Sequence, residues 1–149
     1  SWEGVELPIT EDNIVSYSEG KEISRINVDG TGLGAGVAAH LQIRHLPAVK
    51  IMVASSPTKD CELGTFGILN DQLAWSVREW LSGDVAMLPP DEQLIEELLA
   101  YTYSVGDDGK VRVSKKSVIK ELIRRSPDRF DALKLTFFTD GIFNDLDLS

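Results

Sequence analysis

The chain has 149 residues, 42% hydrophobic and 26% charged, and its 24 acids outnumber 15 Lys and Arg for a formal charge of −9. That size and composition suit one globular domain, and no run approaches the ~20 consecutive apolar residues of a membrane-spanning helix. The net acidity excludes a protein that coats nucleic acid non-specifically, because affinity for the phosphate backbone comes mainly from Lys and Arg.

The first residues, Ser1-Trp2-Glu3-Gly4, lack the basic and then apolar regions of a signal peptide. The single cysteine, Cys61, can form neither an internal disulfide nor a multi-cysteine metal site. A soluble intracellular chain is the expectation.

Pro8-Ile9-Thr10 predicts a helix over Glu11 to Glu19, with Thr10 as N-cap and Gly20 as its end. Ile23 to Val28 reads as a strand. It runs into Asp29 and the glycine-rich turn Gly30-Thr31-Gly32-Leu33-Gly34-Ala35-Gly36, after which Val37, Ala38, Leu41 and Ile43 suit the packed side of a helix. Val49 to Ala54 is a continuous apolar run, as expected of a strand buried on both faces of a parallel sheet. Ser55 to Phe66 reads as a surface loop.

Helical spacing returns over Asn70 to Leu81, where Leu73, Val77, Trp80 and Leu81 share a face and Gly83 stops the helix. Trp75 and Trp80 on this segment are best explained by packing. Pro89-Pro90-Asp91 opens a helix over Glu92 to Leu99, and Tyr101 to Val105 with Lys110 to Ser114 flank Gly106-Asp107-Asp108-Gly109, a strong hairpin signal. A helix from about Lys116 to Arg124 follows. Ser126-Pro127-Asp128 starts the last element, with Ser126 as cap, Pro127 in the first turn and Asp128 at the positive end of the dipole.

The alternation of strands and helices defines an α/β chain. Two acidic groupings in it are candidates for chemistry. Asp29 stands at the C-terminal end of a strand, where ligands gather in open α/β sheets. Asp128 and Asp131, three apart, share one helical face. Hard divalent cations need carboxylate oxygens converging from separate elements, so Asp29, Asp128 and Asp131 are the candidate ligands of a two-metal Mg2+ or Mn2+ site that activates water for phosphodiester hydrolysis. His40 and His45 are five apart and do not share a face.

Charge is concentrated as well. Eight of the fifteen basic residues lie between positions 110 and 129, against only Glu121 and Asp128. Lys110, Arg112, Lys115, Lys116, Lys120, Arg124 and Arg125 therefore form a candidate phosphate-contacting face.

At these residues the sequence resembles the nuclease domain of phage terminase large subunits, whose fold is ribonuclease H-like. The resemblance runs from about Trp2 to Phe138 through INVDGTGLGAGVAAHL, NDQLAWSVREWL, LPPDEQLIEELLAYTY, GDDGKVRVSKK and RSPDRFDALKLTFF. It implies a central mixed sheet flanked by helices, with a protruding basic hairpin. By the resemblance Asp29 is the second acid of the metal site, Asp128 and Asp131 are the acids of the final helix, and the basic hairpin and following helix face DNA. The implied activity is metal-dependent cutting of double-stranded DNA during packaging in the cytoplasm of a bacterial host. Portal and small terminase subunit are the implied partners, and no membrane is involved.

The family's first catalytic Asp lies on a strand ahead of the first helix, so the expectation is a nuclease domain over 1–139 that lacks its opening strand. Neither Glu3 nor Glu6 has the spacing to replace that acid, and poor cutting by the isolated chain follows. No GxxxxGK[ST] phosphate loop is present. Residues 140–149 read as a frayed acidic tail, with docking to a packaging partner as the alternative.

Two other readings remain open. A non-catalytic ribonuclease H-like binding module keeps the fold without a full active site. A dinucleotide-binding domain satisfies G-x-G-x-x-A at Gly30 to Ala35, but Asp29 would repel pyrophosphate and no acid stands at a strand end about twenty residues on.

Overall fold

The computed structural model describes residues 14–31 and 34–139. They fall in two compact units divided between Val53 and Ala54. The expected Thr10 cap, Glu3, Glu6 and the acidic tail lie outside the described residues.

In the first unit, residues 14–18 are helical and the chain leaves the helix at Gly20, whose φ of +70° is the left-handed region that glycine enters without strain. Strand β1 (Ile26–Asp29), helix α1 (Gly34–Ile43) and strand β2 (Ala48–Ile51) follow. The strands pair in parallel, with Ile26 opposite Ala48 and Asp29 opposite Ile51. β1 starts later than the expected Ile23 because its partner begins only after Pro47, whose carbonyl accepts the Ile26 amide at 2.9 Å and whose own nitrogen has no hydrogen to donate.

The core of this unit is Val37, Leu41 and Ala48, covered by Ile14, Val15, Ile26, Val28 and Leu46. Ile43 does not join it. At the last turn of α1 it lies about 200° around the helix from Leu41 and is exposed, and Leu46 packs in its place. The expected doubly buried strand Val49–Ala54 is also corrected. β2 covers Ala48–Ile51, and of the two residues on one face Ala48 is buried while Lys50 is exposed, so that face is only partly packed. Met52 is exposed and the chain turns away.

The second unit holds β3 (Thr65–Phe66), α2 (Leu69–Leu81), α3 (Glu92–Ala100), β4 (Tyr103–Val105), β5 (Lys110–Val113), α4 (Lys116–Ile123) and α5 (Asp128–Leu135). Its sheet has the order β3-β5-β4, with β3 parallel and β4 antiparallel to β5. Among the described residues the strands thus make a parallel pair in one unit and a mixed triple in the other. β3 lies inside the segment read as loop. Two residues are too few for periodicity to register, and only pairing with β5 makes them a strand.

Among the described residues two apolar clusters hold this unit. Ala74, Val77, Leu94 and Phe130 join α2, α3 and α5, and Tyr101 and Val113 pack against them. Phe66, Trp75 and Val111 join the sheet to α2. Each large apolar side chain fully buried here stabilises the fold by roughly 1.5–3 kcal/mol. Trp75 is 3% exposed, as the packing reading expected, whereas Leu81 is exposed where the helix ends. Polar groups complete the frame. Asp71 accepts the amides of Ile68 and Val113, each at 3.0 Å, tying the start of α2 to β5. Gln72 accepts the amides of Thr58 and Lys59 and pins the long loop ahead of β3.

Candidate metal centre and nucleic-acid face

Asp29 is the last residue of β1, at the C-terminal end of a parallel strand, as its place before the glycines predicted. Its Oδ1 accepts the Thr31 amide at 2.9 Å and the Thr31 hydroxyl at 2.7 Å. This is an Asx turn that folds the chain back after the strand. The glycines serve close approach. A Cβ on Gly34 would collide with the backbone carbonyl of Asp29, and one on Gly30 would meet the side chains of Lys50 and Met52. The first turn of α1 is therefore packed directly against the strand end that carries the acid.

Asp128 and Asp131 both lie in the first turn of α5. The expected capping scheme is shifted by one residue. Pro127 is the N-cap, with no side-chain cap, and Ser126 stands outside the helix. Proline has no N–H to satisfy and its fixed φ suits the entry to a helix, so the boundary falls one residue later than Ser126 suggested. Asp131 is enclosed by cations. Lys116 Nζ is 2.5 Å from its Oδ2 and Lys134 Nζ is 3.1 Å from its Oδ1. Asp29 belongs to the first unit and the pair on α5 to the second.

Within either unit, among the described residues, no three His, Cys, Asp or Glu side chains gather as a metal site. The donor chemistry on α5 nevertheless suits a hard cation. Asp131 carries hard carboxylate oxygens and is a quarter exposed, and a cation bound there would have to displace the Lys116 and Lys134 ammonium groups that hold them.

Around this pair the sequence hid a second layer of acids. Glu97 of α3 is fully buried. Its Oε1 accepts the Arg125 guanidinium at 2.9 Å and the Arg129 amide at 3.3 Å, and its Oε2 has no hydrogen-bond partner among the described residues. Asp91 caps α3 by accepting the amides of Gln93 and Leu94, and accepts Arg129 Nε at 2.8 Å. The Leu94 amide above all, opposed by partial desolvation and helped by Arg129, keeps the Asp91 carboxyl below its usual range. Burial first, then the charges of Asp131 and Glu97, push the Tyr101 phenol well above its usual range. Asp91 was legible as a cap from Pro-Pro-Asp. Glu97 was not, since an acid within Glu-Glu on an amphipathic helix reads as solvated.

The basic residues divide. Lys110, Arg112, Lys115, Lys116, Lys120 and Arg124 are exposed. Arg112 is held by Asp108 across the hairpin at 2.7 Å, and Lys116 reaches Asp131. Arg124 is the C-cap of α4 and adopts a left-handed φ of 60°. Arg125 is partly buried and committed to Glu97, Glu96 and the Gln93 carbonyl, so its first role is within the fold. A cavity of about 530 Å³ opens beside the hairpin, lined by Asp71, Tyr103, Ser104, Arg112, Ser114 and Lys115 among others.

No family model matches the chain, and no curated protein matches it by sequence. Solved structures do share its fold. A lysine-to-alanine variant of the nuclease domain of the large terminase subunit gp2 of bacterial virus Sf6, with manganese and beta-thujaplicinol, superposes with a TM-score of 0.72. Identity is 16%, over 92% of this chain and 74% of that one. The variant with manganese gives 0.68 at 17% identity over 87% and 72%, and a structure with calcium gives 0.68 at 18% over 87% and 71%. The chain therefore has the α/β, ribonuclease H-like fold of the nuclease domain of a phage large terminase subunit.

Proposed function

We propose that this chain is a divalent-metal-dependent endonuclease domain of a viral DNA-packaging terminase, hydrolysing phosphodiester bonds of double-stranded DNA. The observation that carries the reading is the first turn of α5, where Asp128 and Asp131 stand together in a fold shared with nuclease domains solved with manganese or calcium. Asp29 in the first unit, and Asp128 and Asp131 in the second, are the side chains that would offer oxygen ligands to Mg2+ or Mn2+. When bound, such ions lower the pKa of a coordinated water and stabilise the leaving oxygen.

Lys110, Lys115, Lys120 and Arg124, with Arg112 beside the hairpin cavity, take the phosphate backbone. Their exposure in an acidic chain supports a localised contact surface. Portal and small terminase subunit are the partners in a packaging assembly, working in the cytoplasm of the bacterial host.

One observation favours a second reading, a non-catalytic module of the same fold. Both oxygens of Asp131 are held by ammonium groups, and no three-acid group forms within either unit among the described residues. Cleavage of supercoiled plasmid in Mn2+, beside Asp29→Ala and Asp131→Ala, separates the two. Cleavage by the parent and its loss in both folded variants supports the nuclease. A parent that binds DNA but neither cuts it nor binds Mn2+ supports the module.

A further inference from the structure

We infer that Glu97 is a positioning residue for the acids of α5, acting by capping that helix from outside. The inference rests on the reading of Asp128 and Asp131 as metal ligands.

Helix α5 starts without a cap of its own, for Pro127 offers no side-chain acceptor and the first backbone amides of a helix have no partner within it. Glu97 fills this gap from α3. Its Oε1 accepts the Arg129 amide, one residue beyond Asp128 and two before Asp131. A buried carboxylate at this end is favoured by the partial positive charge of the helix, and Arg125 supplies the full counter-charge. The side chain of Arg129 turns back to Asp91, the cap of α3, so the start of α5 is tied to α3 twice, at Glu97 and at Asp91.

Rotation or fraying of the first turn of α5 would swing Asp128 and Asp131 together. A metal site tolerates little of that, because its ligand oxygens must sit within a few tenths of an ångström of their coordination distances. The role assigned to Glu97 requires no contact with DNA or metal. Glu97 sets the place where α5 begins, and through that the direction of both carboxylates. A fully buried carboxylate with one oxygen that has no hydrogen-bond partner among the described residues fits such a role, since an apolar pair in place of Glu97 and Arg125 would serve stability alone as well.

The test uses two conservative variants of the full chain. Glu97→Gln keeps the reach of the acceptor and loses the charge. Glu97→Asp keeps the charge and loses the reach. Mn2+ affinity is measured by calorimetric titration well below the melting temperature, with Asp131→Ala as reference. Glu97→Asp is expected to weaken Mn2+ binding on the order of tenfold, as removal of a ligand-orienting hydrogen bond does, while Glu97→Gln binds within about twofold of the parent even if it melts earlier. Parental affinity in Glu97→Asp, or equal losses in both variants, would overturn the inference. If Asp131→Ala binds Mn2+ as the parent does, the assignment of the α5 acids fails instead, and the inference falls with it.

Discussion

The ammonium of Lys134 lies 3.1 Å from Asp131 Oδ1, one turn back on α5, and its side chain is 6% exposed. Asp131 is thus both a candidate metal ligand and the counter-charge of a buried lysine. Asp131→Ala should lower stability by roughly 1–3 kcal/mol by leaving that ammonium unpaired, in addition to weakening Mn2+ binding. Urea denaturation checks the first effect, and Asp131→Ala with Lys134→Met should recover the stability without the Mn2+ binding.

Arg125 and Lys120 share one basic stretch of sequence, but their surroundings predict opposite behaviour. Lys120→Ala should leave stability unchanged, weaken DNA binding and reduce the dependence of log affinity on log salt by about 0.9, the slope expected for one phosphate no longer neutralised. Arg125→Ala should destabilise the fold by roughly 3–5 kcal/mol, because it strands the fully buried Glu97 carboxylate. Fluorescence-anisotropy binding at several salt concentrations, alongside thermal melts, checks both.

Gly34→Ala should destabilise the first unit by roughly 1–3 kcal/mol, since the added methyl meets a backbone carbonyl that has no rotamer to move to. Gly36→Ala, where a Cβ meets nothing within 4 Å, should be neutral or stabilising. Hydrogen exchange at the β1 amides in the two variants checks the contrast.

The Arg112 guanidinium first, with the Lys110 amide, holds the Asp108 carboxyl far below the usual carboxylate range. The folded value is depressed relative to the unfolded one. The ion pair's contribution to the hairpin is therefore fully present above about pH 4 and is lost only as pH falls through the lower folded value. Carboxyl-carbon NMR should find Asp108 still ionised below about pH 3, and Asp108→Asn should loosen the hairpin at neutral pH. A normal Asp108 titration would contradict the ion pair.

Much of this molecule is local and was legible as such. Pro-Pro-Asp before α3, Gly-Asp-Asp-Gly between β4 and β5, and the helical spacing of Leu73 and Val77 act over a few residues, and those elements stand where expected. Asp29 at a strand end and the acids in the first turn of α5 were read from the same short-range signals.

What escaped depended on partners distant in the chain. β3 is a strand only because β5, more than forty residues later, pairs with it. Glu97 and Arg125 are 28 residues apart, and as isolated charges each reads as solvated. Spacing and composition determined by themselves the α/β alternation, the acidic balance and the type of each longer element. Tertiary structure alone decided which charges are buried against one another, because the desolvation that turns a surface acid into a helix-fixing one arises only when α3 and α5 pack together.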